Sequence, residues 1–137
     1  MGDEQDRVLD WQDSGTSLRE LTMSGYLKEV NIKEDMPTSD QAVKRVTYNI
    51  RNGREWGAGA IKIIHGYGST GSGGKIRTAT RRYLEEQKRR GLIRDYVPGE
   101  DFSIFNSATI KAFDSCGELR GDKDLERSNN GITIIVL

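Results

Sequence analysis

Residues 60–75, AIKIIHGYGSTGSGGK, decide the fold of this chain. Residues 60–64 form a nearly continuous apolar run rich in β-branched side chains, which is typical of a strand buried on both faces. Five glycines then fall within the nine residues 66–74. Core-facing positions at helical spacing follow directly, namely Ile76, Ala79, Thr80, Tyr83, Leu84 and Gln87. The stretch therefore predicts a strand, a glycine-rich loop and a helix that stops at Gly91.

A strand and a helix are also predicted before this stretch. The strand covers residues 27–32 and closes before the turn signal at Met36 and Pro37. Thr38, with Gln41 three residues later, forms a capping box, which marks the start of a helix. That helix should fade between residues 53 and 57.

Two later strands are predicted at residues 92–97 and 132–137, and the stretch between them should hold a short helix or strand within residues 101–113. The alternation of strands and helices implies an α/β fold built on a right-handed parallel βαβ unit extended by further strands.

Parallel neighbouring strands end at the same edge of a sheet. Lys33 and Glu34 follow the first strand and His65 follows the second, so these residues should lie close together. Ligands of open α/β sheets bind along this carboxyl edge.

The chain of 137 residues is sized for one domain, and its formal net charge is zero. Residues 1–20 carry six acids against two bases, whereas residues 75–94 carry eight bases against two acids. We predict an acidic, flexible N-terminal arm at residues 1–25, suited to a protein partner, and one domain at residues 26–137.

The compartment is predicted from absent signals and from cysteine usage. No apolar run approaches the roughly 18 residues of a membrane helix, and the sequence shows no signal-peptide stretch. The single Cys116 cannot form an internal disulfide and is expected in the core. These features indicate a cytoplasmic protein with no membrane partner.

The glycine loop is suited to holding phosphate groups. Glycine lets the backbone approach a ligand closely, and the helix that follows offers unpaired N–H groups and the positive end of its dipole. Tyr67 in the loop could stack on a base, and Trp56 is a second candidate. The predicted phosphate contacts are Gly66, Tyr67, Gly68, Gly71, Gly73, Gly74, Lys75, Arg77 and Arg81.

Two phosphate motifs were compared with the loop. If Lys75 is aligned with the P-loop lysine, Ser69 stands where glycine is required and Ile76 where serine or threonine is required, which disfavours an NTPase. Residues 66–71 match the dinucleotide pattern G-x-G-x-x-G. The acids about twenty residues further on lie within the helix rather than after the next strand, so this match alone is weak.

His65 is the only histidine of the chain. A lone histidine is usually structural, but this one stands at the tip of a central strand beside the loop. With an unperturbed pKa of roughly 6.5, it could serve as an acid, a base or a charged phosphate contact.

These features together resemble the Smr domain, the small MutS-related family, over about residues 27–137. The resemblance rests on Ile-Ile-His-Gly-Tyr-Gly at residues 63–68, on Gly73-Gly74, on the helix bearing Arg77 and ending its core face at Tyr83-Leu84, and on the strand at residues 131–137. It implies a two-layer βαβαββ sandwich with a mixed four-stranded sheet, similar to the C-terminal domain of a bacterial translation initiation factor. It also implies nucleic-acid binding and, in several members, endonuclease activity.

The first strand departs from the family pattern. The family's first strand usually ends in Leu-Asp-x-His-Gly, whose Asp and His are linked to cleavage, whereas Asn31 replaces the Asp here, Lys33 the His and Glu34 the Gly. If the site cleaves, the candidate catalytic residues are His65, Lys33 and Glu34, and Mg²⁺ is a candidate cofactor. Glu34 and Asp35 could serve as bases or metal ligands, but charged residues after a strand are more often solvated, and no dedicated metal site is predicted.

The sequence thus predicts a domain that binds DNA or RNA through its glycine-rich loop, with nicking activity left open. The alternative is a non-enzymatic adaptor that binds a protein partner and a small phosphate or dinucleotide ligand.

Overall fold

A computed structural model of the chain describes residues 25–67 and 73–137. Most of the predicted acidic arm lies outside the described residues. Strands and helices alternate in the order β1 (Tyr26–Asn31), α1 (Ser39–Glu55), β2 (Ala58–Ile64), α2 (Gly73–Arg89), β3 (Asp95–Pro98), α3 (Ser107–Ser115) and β4 (Ile132–Val136). Two short 3₁₀ helices, Gly99–Asp101 and Gly117–Gly121, flank α3.

The strands form one mixed sheet of four strands in the order β1-β2-β4-β3. β1 and β2 are parallel, and β4 lies between β2 and β3, antiparallel to both. The predicted α/β class, the parallel βαβ unit and the mixed four-stranded sheet are therefore confirmed.

Helices cover both faces of the sheet. On one face α1 and α2 bury Val46 and Leu84 against Ile61. On the other face α3 buries Phe113 against a second apolar cluster that contains Ile134. The family resemblance implied two layers, and the stretch between the last two strands was predicted to hold a short helix or strand within residues 101–113. The structure has a helix in that stretch, and it forms a third layer. The nine-residue α3 supplies this extra layer, and its apolar pattern is too short to have indicated where it would pack.

The start of α1 is held where β1 ends. The Thr38 hydroxyl accepts a hydrogen bond from the Gln41 N–H at 3.1 Å, and the Gln41 side chain accepts one from the Thr38 N–H at 2.9 Å. This is the predicted capping box. At the other end of α1, Trp56 caps the helix and the Lys28 ammonium lies 5.0 Å from its ring centre.

One charged residue interrupts the buried strand β2. Lys62 is 1% exposed, and its ammonium group donates to the two Asp122 carboxylate oxygens at 3.0 and 3.2 Å. It also forms an ion pair with Asp124. Burial lowers the pKa of Lys62, but the hydrogen bonds that its ammonium group donates to Asp124 and Asp122 outweigh that effect and hold the pKa above its ordinary value. The second face of the sheet thus contains a buried ion cluster beside its apolar residues.

Cys116 belongs to this second apolar cluster and is fully buried, as predicted. Burial raises the pKa of its thiol to about 11. Among the helices of the described residues, none has both the length and the apolarity needed to cross a membrane.

Candidate functional site

The carboxyl edge of the sheet is where β1, β2 and β3 end and β4 begins. The Ile32 N–H donates to the Ile64 carbonyl oxygen at 3.0 Å, which continues the parallel register past the end of β1. Lys33 therefore leaves the sheet beside the end of β2, as expected. On the other side of β2, the N–H groups of His65 and Gly66 both donate to the Gly131 carbonyl oxygen at 3.0 Å.

His65 is fully buried beneath this edge. Its Nδ1 lies 2.7 Å from the Gly66 carbonyl oxygen, which can only accept, so Nδ1 carries the proton. Its Nε2 lies 2.8 Å from the Thr133 hydroxyl and accepts the hydroxyl proton. Both ring nitrogens of the neutral imidazole are satisfied within the protein.

The surroundings of His65 favour its neutral form. Burial is the main cause that lowers its pKa, and the nearby guanidinium groups of Arg81 and Arg77 lower it further. The hydrogen bond to Gly66 opposes these effects, and the resulting pKa is about 4. At neutral pH, His65 is therefore uncharged and offers no positive charge to a phosphate. Its contact with the loop is the hydrogen bond from Nδ1 to the Gly66 carbonyl oxygen.

Arg81, which is half-buried, contacts Thr133 from the surface side of this arrangement. Its Nε donates to the Thr133 hydroxyl at 3.1 Å, and its two terminal nitrogens donate to the Glu100 carboxylate at 2.8 Å each. One of them also reaches the Ile132 carbonyl oxygen at 3.2 Å. Arg81 was predicted to contact phosphate. That role stays a prediction, and it would require Arg81 to share donors that already bind protein groups.

The start of α2 brings cations to the same edge. Gly73 and Gly74 open the helix, and its first turn carries no acid. Lys75 is exposed, and half-buried Arg77 donates to the Tyr67 carbonyl oxygen at 3.4 Å. The other two predicted loop contacts, Gly68 and Gly71, lie outside the described residues.

The loop begins with a left-handed turn, since Gly66 has a φ of 78°. Only glycine adopts this conformation without strain. Here it directs the chain from the end of β2 toward α2 and places Tyr67 on the surface, where the residue is 57% exposed. Trp56, the other candidate for stacking, lies after α1 at the opposite end of β2.

The turn between β1 and α1 is the third component of the edge. Lys33 and Glu34 are both exposed there. The next two residues, Asp35 and Met36, have φ values of 65° and 47°, a conformation that costs non-glycine residues energy and recurs at functional sites. The Arg45 guanidinium holds the turn by donating to the Glu34 carbonyl oxygen at 2.7 Å.

Three residues of this edge were missed in the sequence, namely Arg45, Glu100 and Thr133. Thr133 had a signal, because it is the one hydroxyl within the otherwise aliphatic strand β4. Arg45 and Glu100 had no such signal in the sequence, since exposed charges in a helix or after a strand are common.

Within residues 25–67 and 73–137, no three His, Cys, Asp or Glu side chains are grouped in a way that could hold a metal ion.

No protein-family model, curated protein or solved structure matches this chain.

Proposed function

We propose that this chain is an Smr-like domain that binds nucleic acid at the carboxyl edge, through the phosphate groups of one strand. The proposal includes a relationship to the βαβαββ fold of the initiation-factor domain, with α3 as an addition. Three things support it: the glycine-rich loop, the acid-free first turn of α2, and the cations that converge on this edge.

The observation that carries the proposal is the difference between the two ends of α2. At its C-terminal end, Lys88 pairs with Asp95 at 3.1 Å and Arg89 pairs with Glu86. At its N-terminal end, neither Lys75 nor Arg77 forms an ion pair with any described residue. Cations that have no ion-pair partner among the described residues and stand at a helix N-terminus favour an anion, and a row of them favours a polyanion.

Binding without efficient cleavage is the activity that the residues support best. His65 is buried, and both its ring nitrogens have partners within the protein. Asn31 replaces the family's carboxylate, and its side-chain oxygen accepts a hydrogen bond from the Lys33 N–H at 3.0 Å. Lys33 is a positive group suited to a phosphate rather than to proton abstraction near neutral pH.

The test is a salt titration of binding to labelled DNA and RNA oligonucleotides. Between about 50 mM and about 200 mM salt, affinity should fall steeply through counterion release. The double variant Lys75→Ala/Arg77→Ala should weaken binding and reduce the slope by roughly 1 for each phosphate that the variant no longer neutralises. The control Arg51→Ala/Arg54→Ala removes the same charge from the distal end of α1 and should change neither the affinity nor the slope of its salt dependence.

The alternative adaptor function predicts a different result. A small phosphate or dinucleotide ligand would bind with a shallow salt dependence, and oligonucleotides would bind no more tightly than inorganic phosphate. That outcome, with the Lys75→Ala/Arg77→Ala variant indistinguishable from the parent on oligonucleotides, would reject the nucleic-acid proposal.

A further inference from the structure

We infer that Tyr67 is a base-stacking residue, so that this edge takes single-stranded nucleic acid or an unpaired nucleotide rather than an intact duplex. The inference rests on the proposed function and specifies its substrate. It rests on three observations: the Tyr67 ring packs against Gly131, the backbone at Tyr67 is hydrogen-bonded, and the residue lies beside the cations at the start of α2.

One edge of the Tyr67 ring lies against Gly131. A Cβ atom built on Gly131 would stand 2.8 Å from Cδ1 and 3.4 Å from Cε1 of the ring. The missing side chain of Gly131 therefore makes room for the ring. Among the contacts within residues 25–67 and 73–137, the ring has this packing at one edge, and its hydroxyl has no hydrogen-bond partner there.

The backbone at Tyr67 makes two hydrogen bonds, one of ordinary length just before the residue and one long one at the residue itself. The preceding Gly66 binds the Gly131 carbonyl oxygen through its N–H at 3.0 Å, and the Tyr67 carbonyl oxygen accepts from Arg77 at 3.4 Å. A ring that packs against Gly131 has fewer orientations to lose when a ligand binds than a ring without such a contact, and at 57% exposure it still offers a free face.

The position of the ring suits a nucleotide strand. Arg77 both contacts the backbone of Tyr67 and lies in the cationic first turns of α2, so a base on the ring places its own phosphate near cations. An aromatic ring beside a positively charged track is the arrangement by which proteins hold unpaired nucleotides. In a duplex the base faces are already stacked on each other, so the ring would have no partner.

The experiment compares three labelled probes of equal length by fluorescence anisotropy. They are single-stranded oligothymidylate, the same backbone with abasic sites in place of the bases, and a DNA duplex. Tyr67→Leu should weaken binding of oligothymidylate about tenfold, the typical effect of removing one base-stacking partner, and should leave the abasic probe unaffected. Tyr67→Phe should retain binding, and Tyr48→Leu, which changes a 61% exposed tyrosine of α1, serves as the matched control.

The outcomes separate this inference from the proposed function. Salt-dependent binding that Tyr67→Leu leaves unchanged, or that is equally tight for the abasic probe, would overturn the stacking role and leave nucleic-acid binding intact. Duplex bound more tightly than oligothymidylate would also overturn it. The absence of binding to every probe would reject both proposals. A Gly131→Ala variant gives a further check, because its Cβ would displace the ring, although it would also stand 3.1 Å from Asn129 Oδ1. If thermal unfolding shows that this variant is folded, it should reproduce the weaker binding of oligothymidylate, and unchanged binding would count against the stacking role.

Discussion

His65 and Thr133 are joined by a buried hydrogen bond of 2.8 Å between Nε2 and the hydroxyl oxygen, which links the end of β2 to the start of β4. Because Nδ1 of the neutral ring donates to the Gly66 carbonyl oxygen, Nε2 is an acceptor, and the Thr133 hydroxyl donates to it while accepting from Arg81. A protonated ring would reverse this bond, because the hydroxyl would have to turn its proton away and accept from both Nε2 and Arg81. Protonation would also set a buried positive charge beside Arg81.

The first prediction is that stability falls in mild acid because of His65. Its pKa is about 4 in the fold and roughly 6.5 in an unfolded chain. Between these values the unfolded chain takes up a proton that the folded chain does not. The stability contributed by neutral His65 is thus present above about pH 6.5 and is lost as the pH falls toward 4, by an amount on the order of 3 kcal/mol.

Urea unfolding of the parent and of His65→Asn at about pH 7 and about pH 4.5 measures this effect. An Asn side chain can still donate to the Gly66 carbonyl oxygen but does not titrate. The free energy of unfolding of the His65→Asn variant should therefore fall less on acidification than that of the parent. Equal losses in the two proteins, or a histidine ring resonance that titrates near its ordinary value, would contradict the prediction.

The second prediction concerns the buried ammonium of Lys62. Lys62→Met would leave Asp122 and Asp124 without their counter-ion and should lower the free energy of unfolding by about 3–5 kcal/mol. Adding Asp122→Asn and Asp124→Asn to this variant should recover part of the loss, since the uncompensated charges are then gone. Lys111→Met, at an exposed lysine of α3, should change stability by less than about 0.5 kcal/mol. If Lys62→Met is as mild as this control, the buried pairs contribute nothing.

The third prediction contrasts Gly99, where an added Cβ would clash with the backbone, with Gly121, where an added Cβ would meet open space. A Cβ on Gly99 would stand 1.8 Å from the Asn129 carbonyl oxygen, a backbone atom that cannot rotate away. Gly99→Ala should therefore cost about 3 kcal/mol, at the upper end of overpacking effects. Gly121 has no such neighbour within 4 Å, so Gly121→Ala should be neutral or stabilise by up to about 1 kcal/mol. Thermal unfolding of both variants checks the contrast, and similar melting temperatures would refute it.

The local elements were predictable because their signals are local. The capping box fixes the start of α1, and Gly91 fixes the end of α2. The predicted start of β3 at residue 92 was wrong, because the helix-capping signal extends one residue past Gly91. The N–H groups of Gly91, at a φ of 75°, and Leu92 donate back to the Lys88 and Gln87 carbonyl oxygens in a helix-capping motif. Leu92 therefore belongs to the cap that follows α2, and β3 begins at Asp95.

The candidate site was predictable in position but not in detail. The parallel register brings Lys33 and His65 to one edge, and this follows from topology alone. The burial of His65 also had a signal, because it shares its strand face with Ile61 and Ile63 by the alternation of a strand. The contact of Arg81 with Glu100 joins residues 19 positions apart on different elements, and no local pattern in the sequence indicates it.

The last prediction is that Glu100 limits anion binding at the carboxyl edge. Burial raises the pKa of Glu100, but its paired hydrogen bonds with Arg81 outweigh this and lower the pKa, so it is a fixed negative charge at neutral pH. Glu100→Gln keeps one acceptor for Arg81 and removes that charge, so affinity for oligonucleotides should rise severalfold, the effect of an exposed charge worth up to about 1 kcal/mol. Glu86→Gln is the matched control, since Glu86 also pairs with an arginine but lies at the far end of α2. Weaker binding by folded Glu100→Gln would instead mean that Glu100 positions Arg81 for its ligand.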